Sequence, residues 1–99
     1  MAQVIYARRA LDDFERLLQF LEREQPGSGP AAAEIIADGV DILERHPLIG
    51  RPLEHGLREL LISRGRSGYA ALYSLLVTHD VVQVLAIRHQ REAGYAEQP

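Results

Sequence analysis

A chain of 99 residues has room for one hydrophobic core, so a single domain over residues 1–99 is expected. Its 46% hydrophobic and 25% charged residues lie near the averages of folded soluble proteins, which excludes a disordered or fibrous chain. The net charge is −3 at pH 7, with 11 basic residues, all arginine, against 14 acids. The basic excess of proteins that hold nucleic acid through its phosphates is therefore missing.

The charge is unevenly spread. Residues 1–50 hold 5 arginines and 9 acids, whereas residues 51–99 hold 6 arginines and 5 acids, so an anion-facing surface belongs to the second half. Zero cysteines exclude disulfides and thiolate metal sites and leave the redox compartment open. The longest uncharged run, Ser67 to His79, is shorter than the about 20 apolar residues of a membrane span. The N-terminus MAQVIYARRA lacks the pattern of a secretory signal, so a cytoplasmic location and no membrane partner are expected.

The first element is the β-rich stretch Gln3 to Tyr6, read as a strand. From Arg8 to Glu24 the residues Leu11, Phe14, Leu18 and Leu21 recur three or four apart, with Leu17 alongside, which predicts an amphipathic helix. QPGSGP interrupts it. Ser28 or Gly29 is placed to cap a second helix with Pro30 in its first turn. That helix buries Ala32, Ile36, Val40 and Leu43 and stops where His46 meets Pro47. Two helices with so short a break form an antiparallel hairpin.

Pro47 to Gly56, with two prolines and two glycines, reads as a loop. The period then shortens to that of strands in Leu57–Ser63, Tyr69–Val77 and Val81–His89, joined by the turn-rich links RGRSG and THD. The predicted fold is α+β, in the order β-α-α-β-β-β, with an N-terminal helical hairpin packed on an antiparallel sheet. In Tyr69–Val77 the alternating faces are Tyr69, Ala71, Tyr73, Leu75, Val77 and Ala70, Leu72, Ser74, Leu76, both mostly apolar. One hairpin covers only one side of such a sheet. The other side is expected to be partly open as a partner site, unless the second helix or the C-terminal tail folds over it.

The element order, the link HPLIGRPLEHGLRELLI with its P-x-x-G-R and G-x-R-E elements, Tyr69 and Tyr73, and the closing VVQVLAIRHQRE together resemble the RelE/ParE superfamily of bacterial type II toxins. The resemblance spans almost the whole chain. It implies one of two activities: RelE-like members are ribosome-dependent mRNA endoribonucleases, and ParE-like members inhibit DNA gyrase.

RNA cleavage needs a base for the ribose 2′-hydroxyl, cations for the phosphorane and an acid for the leaving oxygen. RelE-like toxins are similar in using Lys and Arg on the sheet with a His or Tyr after the last strand. If Arg88 matches the arginine of that ending, the His and Tyr positions hold Gln90 and Arg91, neither of which moves a proton near neutral pH. His89 is one residue off, hence on the opposite face from Arg88 in a regular strand.

This favours the ParE-like branch, and no catalytic residues are assigned. The resemblance then implies a ParD-like antitoxin in a hetero-oligomeric complex, DNA gyrase as target, and no sequence-specific nucleic-acid binding by the toxin alone. The candidate partner contacts are Arg58, Tyr69, Leu72, Tyr73, Leu76, Arg88, His89 and Arg91. The alternatives are a RelE-like endoribonuclease using Arg58, Arg88, His89 and Tyr95, and an inactive homologue that only binds antitoxin.

Several of these residues also have plain structural readings. Arg58 would bridge to Asp12, Asp13 or Glu15, the two tyrosines would pack in the core, and EAG would leave Tyr95 in a mobile tail. Arg64 and Arg66 read as a solvated hairpin tip. The four histidines lack metal-binding spacing and the serines lack a triad, so no metal or cofactor is expected.

Overall fold

The computed structural model describes residues 1–63, 68–90, 92, 94 and 95. Two helices lie on one side of a five-stranded sheet: β1 (Gln3–Tyr6), α1 (Arg8–Glu24), α2 (Ser28–Asp41), β2 (Arg51–Pro52), β3 (Leu57–Ile62), β4 (Tyr69–Leu76) and β5 (Val81–His89). The strand order is β1-β5-β4-β3-β2. The α+β class, the helical hairpin and the N-terminal strand are as the sequence predicts. The sheet differs in two ways: β1 runs parallel to β5, making it mixed, and the expected loop contributes the two-residue strand β2.

Helix α1 has its predicted bounds, but its stripe is rotated. Ala10, Asp13 and Leu17 are buried, Phe14, Leu18 and Leu21 are partly buried, and Leu11 is exposed. In α2 the four predicted residues Ala32, Ile36, Val40 and Leu43 are all buried. Regular helix stops at Asp41, and a single tight turn, Ile42–Glu44, carries Leu43 into the core.

The N-cap of α2 is Gly27 at φ 92, not Ser28 or Gly29. Its orphan N–H groups are satisfied from α1: Glu22 accepts from the Gly27 N–H at 2.7 Å and the Gly29 N–H at 2.9 Å, and these bonds hold its carboxyl below the usual range. The Ser28 hydroxyl donates to the Leu21 carbonyl instead.

Residues paired across the sheet show which side chains share a face. Leu60, Ile62, Tyr69, Ala71, Tyr73, Val82, Val84 and Ile87 meet the helices in one core. Full burial of a side chain such as Ile36 or Ile87 stabilises by about 1.5–3 kcal/mol. The register of β5 on β4 shifts between Leu72 and Tyr73, which face Ala86 and Val84, so Leu85 has no partner. This bulge puts Val84 on the same side as Ile87 and His89, a change of parity that a regular strand excludes. Asp13 reaches across from α1 and accepts from the Ile87 N–H at 3.0 Å, which explains a buried acid in a core stripe.

The other sheet face carries Gln3, Ile5, Gln83, Ala86, Arg88, Ala70, Leu72, Ser74, Leu76, Leu57, Glu59 and Leu61. Leu61 and Leu76 are 56% and 47% exposed. This face is therefore open in part, while Glu59 and Arg88 on it are met by Tyr95. Among the described residues no helix is long and apolar enough to cross a membrane.

Candidate functional site

The segment Gly56-Leu57-Arg58-Glu59 enters β3 with its side chains alternating, so Arg58 and Glu59 leave the sheet on opposite sides. Each anchors a different piece of chain. On the helix side Arg58 donates to the Gly50 carbonyl at 2.8 Å and the Leu48 carbonyl at 3.0 Å. This replaces the expected bridge to Asp12, Asp13 or Glu15.

Tyr73 holds the same loop: its hydroxyl donates to the Pro47 carbonyl at 2.8 Å and accepts from the Gly50 N–H at 2.8 Å. A Cβ at position 50 would stand 2.6 Å from that hydroxyl, so the loop needs glycine there. The P-x-x-G-R element is thus a loop clasped by Tyr73 and Arg58, and its arginine starts β2.

On the open side Glu59 is the centre of a cluster. Its side chain is 6% exposed, and a carboxylate so buried is stable only with charged or hydrogen-bonding partners. Arg51, paired opposite it on β2, donates to Oε1 at 2.8 Å. Arg88 donates to Oε2 at 3.4 Å and the Tyr95 hydroxyl donates to the same oxygen at 2.8 Å. The Arg88 guanidinium also lies 5.2 Å from the centre of the Tyr95 ring.

Burial alone would push the Glu59 carboxyl up. The hydrogen bonds from Tyr95 and Arg51, with the charges of Arg88 and Arg51, outweigh it and hold the group below its ordinary range. The Tyr95 phenol moves the other way, raised by burial and then by its bond to Glu59, so it stays protonated.

Arg88 is fixed independently of Glu59. Its Nη1 donates to the carbonyls of His89, Gln90 and Glu92 at 3.3 Å each, and Arg16 of α1 meets Glu92 at 3.5 Å. Glu92 and Tyr95 therefore lie back against the sheet, which corrects the expectation of a mobile segment before Tyr95.

The residues singled out in the sequence thus divide. Arg88 and Tyr95 come together on the open face, while Arg58 and His89 lie on the helix side, where His89 packs edge-on against Tyr69 with ring centres 5.5 Å apart. Tyr69 and Tyr73, 4% and 0% exposed, are core residues. Leu72 and Leu76 lie on the open face. Arg91, Arg64 and Arg66 lie outside the described residues.

Gln90 has a structural duty, donating to the carbonyls of Ser63 at 2.9 Å and Tyr69 at 3.2 Å. Sequence reasoning missed Arg51 and Glu59 as a pair; the available signal was one acid beside Arg58 in LRELLI, a strand apolar at its other positions. Among the described residues no group of three His, Cys, Asp or Glu is placed to hold a metal ion.

The open face thus joins exposed apolar side chains to a polar cluster in which two arginines share one carboxylate. Residues 4–94 match the family described as the ParE toxin of the type II toxin–antitoxin system, parDE. Toxin RelE3 of Caulobacter vibrioides is 32% identical over 92 residues, which are 93% of this chain and 98% of that protein.

Among solved structures, the chromosomal ParDE toxin–antitoxin system from P. aeruginosa superposes with a TM-score of 0.76 at 22% identity, covering 90% of this chain and 96% of the other. The intact E. coli RelBE toxin–antitoxin complex gives 0.64 at 18% identity, covering 93% and 100%. At these identities the likeness is one of fold.

Proposed function

The chain belongs to the ParE toxin family of type II toxin–antitoxin systems, and from that premise we propose that it acts by binding and inhibiting DNA gyrase and is neutralised by a ParD-like antitoxin. The toxin contributes no covalent step. It holds gyrase in a state that has cleaved DNA, and replication stalls.

What supports a binding toxin over a nuclease is the state of the groups a nuclease would use. Of the four, Arg58 and His89 lie away from the open face. Arg88 and Tyr95 reach it, but both are bonded to the Glu59 carboxylate. An arginine already paired with a carboxylate lends less of its charge to a phosphorane, and a phenol with a raised pKa is a weak acid.

The antitoxin is proposed to lay an apolar segment over Leu61, Leu72 and Leu76, ordering as it binds. A second reading follows from the relative named Toxin RelE3: a ribosome-dependent endoribonuclease built around Arg88 and Tyr95. Two purified reactions separate them, gyrase supercoiling and mRNA cleavage on ribosomes. Loss of supercoiling with intact mRNA supports gyrase inhibition, and the reverse supports the nuclease.

A further inference from the structure

We propose that Glu59 determines what the open face accepts: its carboxylate is a built-in anion seated between Arg51, Arg88 and Tyr95, and it keeps phosphate groups out of that seat. Both carboxylate oxygens are engaged, Oε1 by Arg51 at 2.8 Å and Oε2 by Tyr95 at 2.8 Å and Arg88 at 3.4 Å. Two guanidinium groups and a hydroxyl converging on two oxygens form the arrangement that binds a phosphate as readily as a carboxylate.

Arg88 keeps its place in the seat without Glu59, because three backbone carbonyls grip its Nη1 at 3.3 Å; Arg51 stands opposite position 59 in the β2–β3 register, with its side chain 72% exposed. Arg88 Nε is buried with no hydrogen-bond partner among the described residues, leaving a further donor on a side chain only 17% exposed.

With Glu59 ionised the cluster has one anion for two cations, and a phosphate entering would put a second anion against the carboxylate. Like charges at contact distance oppose that strongly in a partly buried site. Removing the carboxylate leaves two cations and a phenol facing an empty position. The same strand position thus sets the choice between a polyanion and a polypeptide. The proposal rests on the binding reading only for the identity of the polypeptide as antitoxin.

The test uses the full chain with no gyrase, ribosome or antitoxin present. Thermal melts of the wild type, Glu59→Ala, Glu59→Ser and the double variant Glu59→Ala, Arg88→Ala are compared in inorganic phosphate and in chloride of equal ionic strength. Glu59→Ser also vacates the seat, so it serves if Glu59→Ala does not fold.

At phosphate about fivefold above its dissociation constant, the single variants are expected to melt about 4 to 8 °C higher than in chloride. The wild type and the double variant are expected to show no such difference. A wild-type shift equal to that of the single variants, or no shift in either single variant, overturns the proposal. Cleavage of mRNA by the wild type would sink the gyrase reading and leave this comparison unaffected.

Discussion

The hydroxyl of Tyr95 donates to Glu59 Oε2 at 2.8 Å, holding Tyr95 against the middle of the sheet. Replacing Tyr95 with Phe keeps the ring under Arg88 and removes only this bond. A hydrogen bond to a carboxylate in a half-buried setting is expected to contribute about 1–2 kcal/mol, read as a lower urea midpoint with an unchanged slope. An unchanged midpoint would mean that the bond to Glu59 adds nothing in solution.

Acid should weaken the fold through the same carboxylate. The native pKa of Glu59 lies below its unfolded value, so across that interval the unfolded chain binds more protons than the native one. Stability contributed by Glu59 is therefore present above the ordinary glutamate range and lost as pH falls from about 5 through the native pKa. Urea denaturation at a series of pH values should show a shallower acid limb for Glu59→Gln than for the wild type.

Tyr73→Phe removes a hydroxyl that both donates to Pro47 and accepts from Gly50 inside the core. The stranded carbonyl and N–H are expected to lower stability by about 1–3 kcal/mol. Amide exchange at Gly50 should quicken, while exchange at Ile87, which is bonded to Asp13, should keep its rate relative to global unfolding.

The open face is tested by Leu72→Asp and Leu76→Asp. An acid buried without a partner under an antitoxin segment should weaken the complex about tenfold or more, measured by titration calorimetry. Ile35→Asp, on an exposed position of α2, is the control expected to leave affinity unchanged. Equal affinity for all three variants would remove this face from the interface.

The periodicity of the chain carried most of the fold. Apolar spacing fixed the bounds of β1, α1 and β5 and the buried residues of α2, because local pattern and tertiary burial agree there. The rotated stripe of α1 was hidden because its centre holds Ala10 and Asp13, a small residue and an acid that hydrophobic spacing ignores.

The bulge at Leu85 has no sequence mark, and it alone moves Val84 to the face of Ile87. The Glu59 cluster joins Arg51, Arg88 and Tyr95 from β2, β5 and the C-terminal segment, so no local pattern encodes it. The separation of Arg88 from His89 was legible from strand parity, and it survives because the bulge lies before both.

The most direct measurement of the central claim is the covalent gyrase–DNA complex trapped by detergent and protease after incubation with purified toxin, ATP and supercoiled plasmid. The account predicts that linearised plasmid accumulates with toxin concentration and disappears when antitoxin is added. No linear product, together with ribosome-dependent cuts in mRNA by the same preparation, would contradict it.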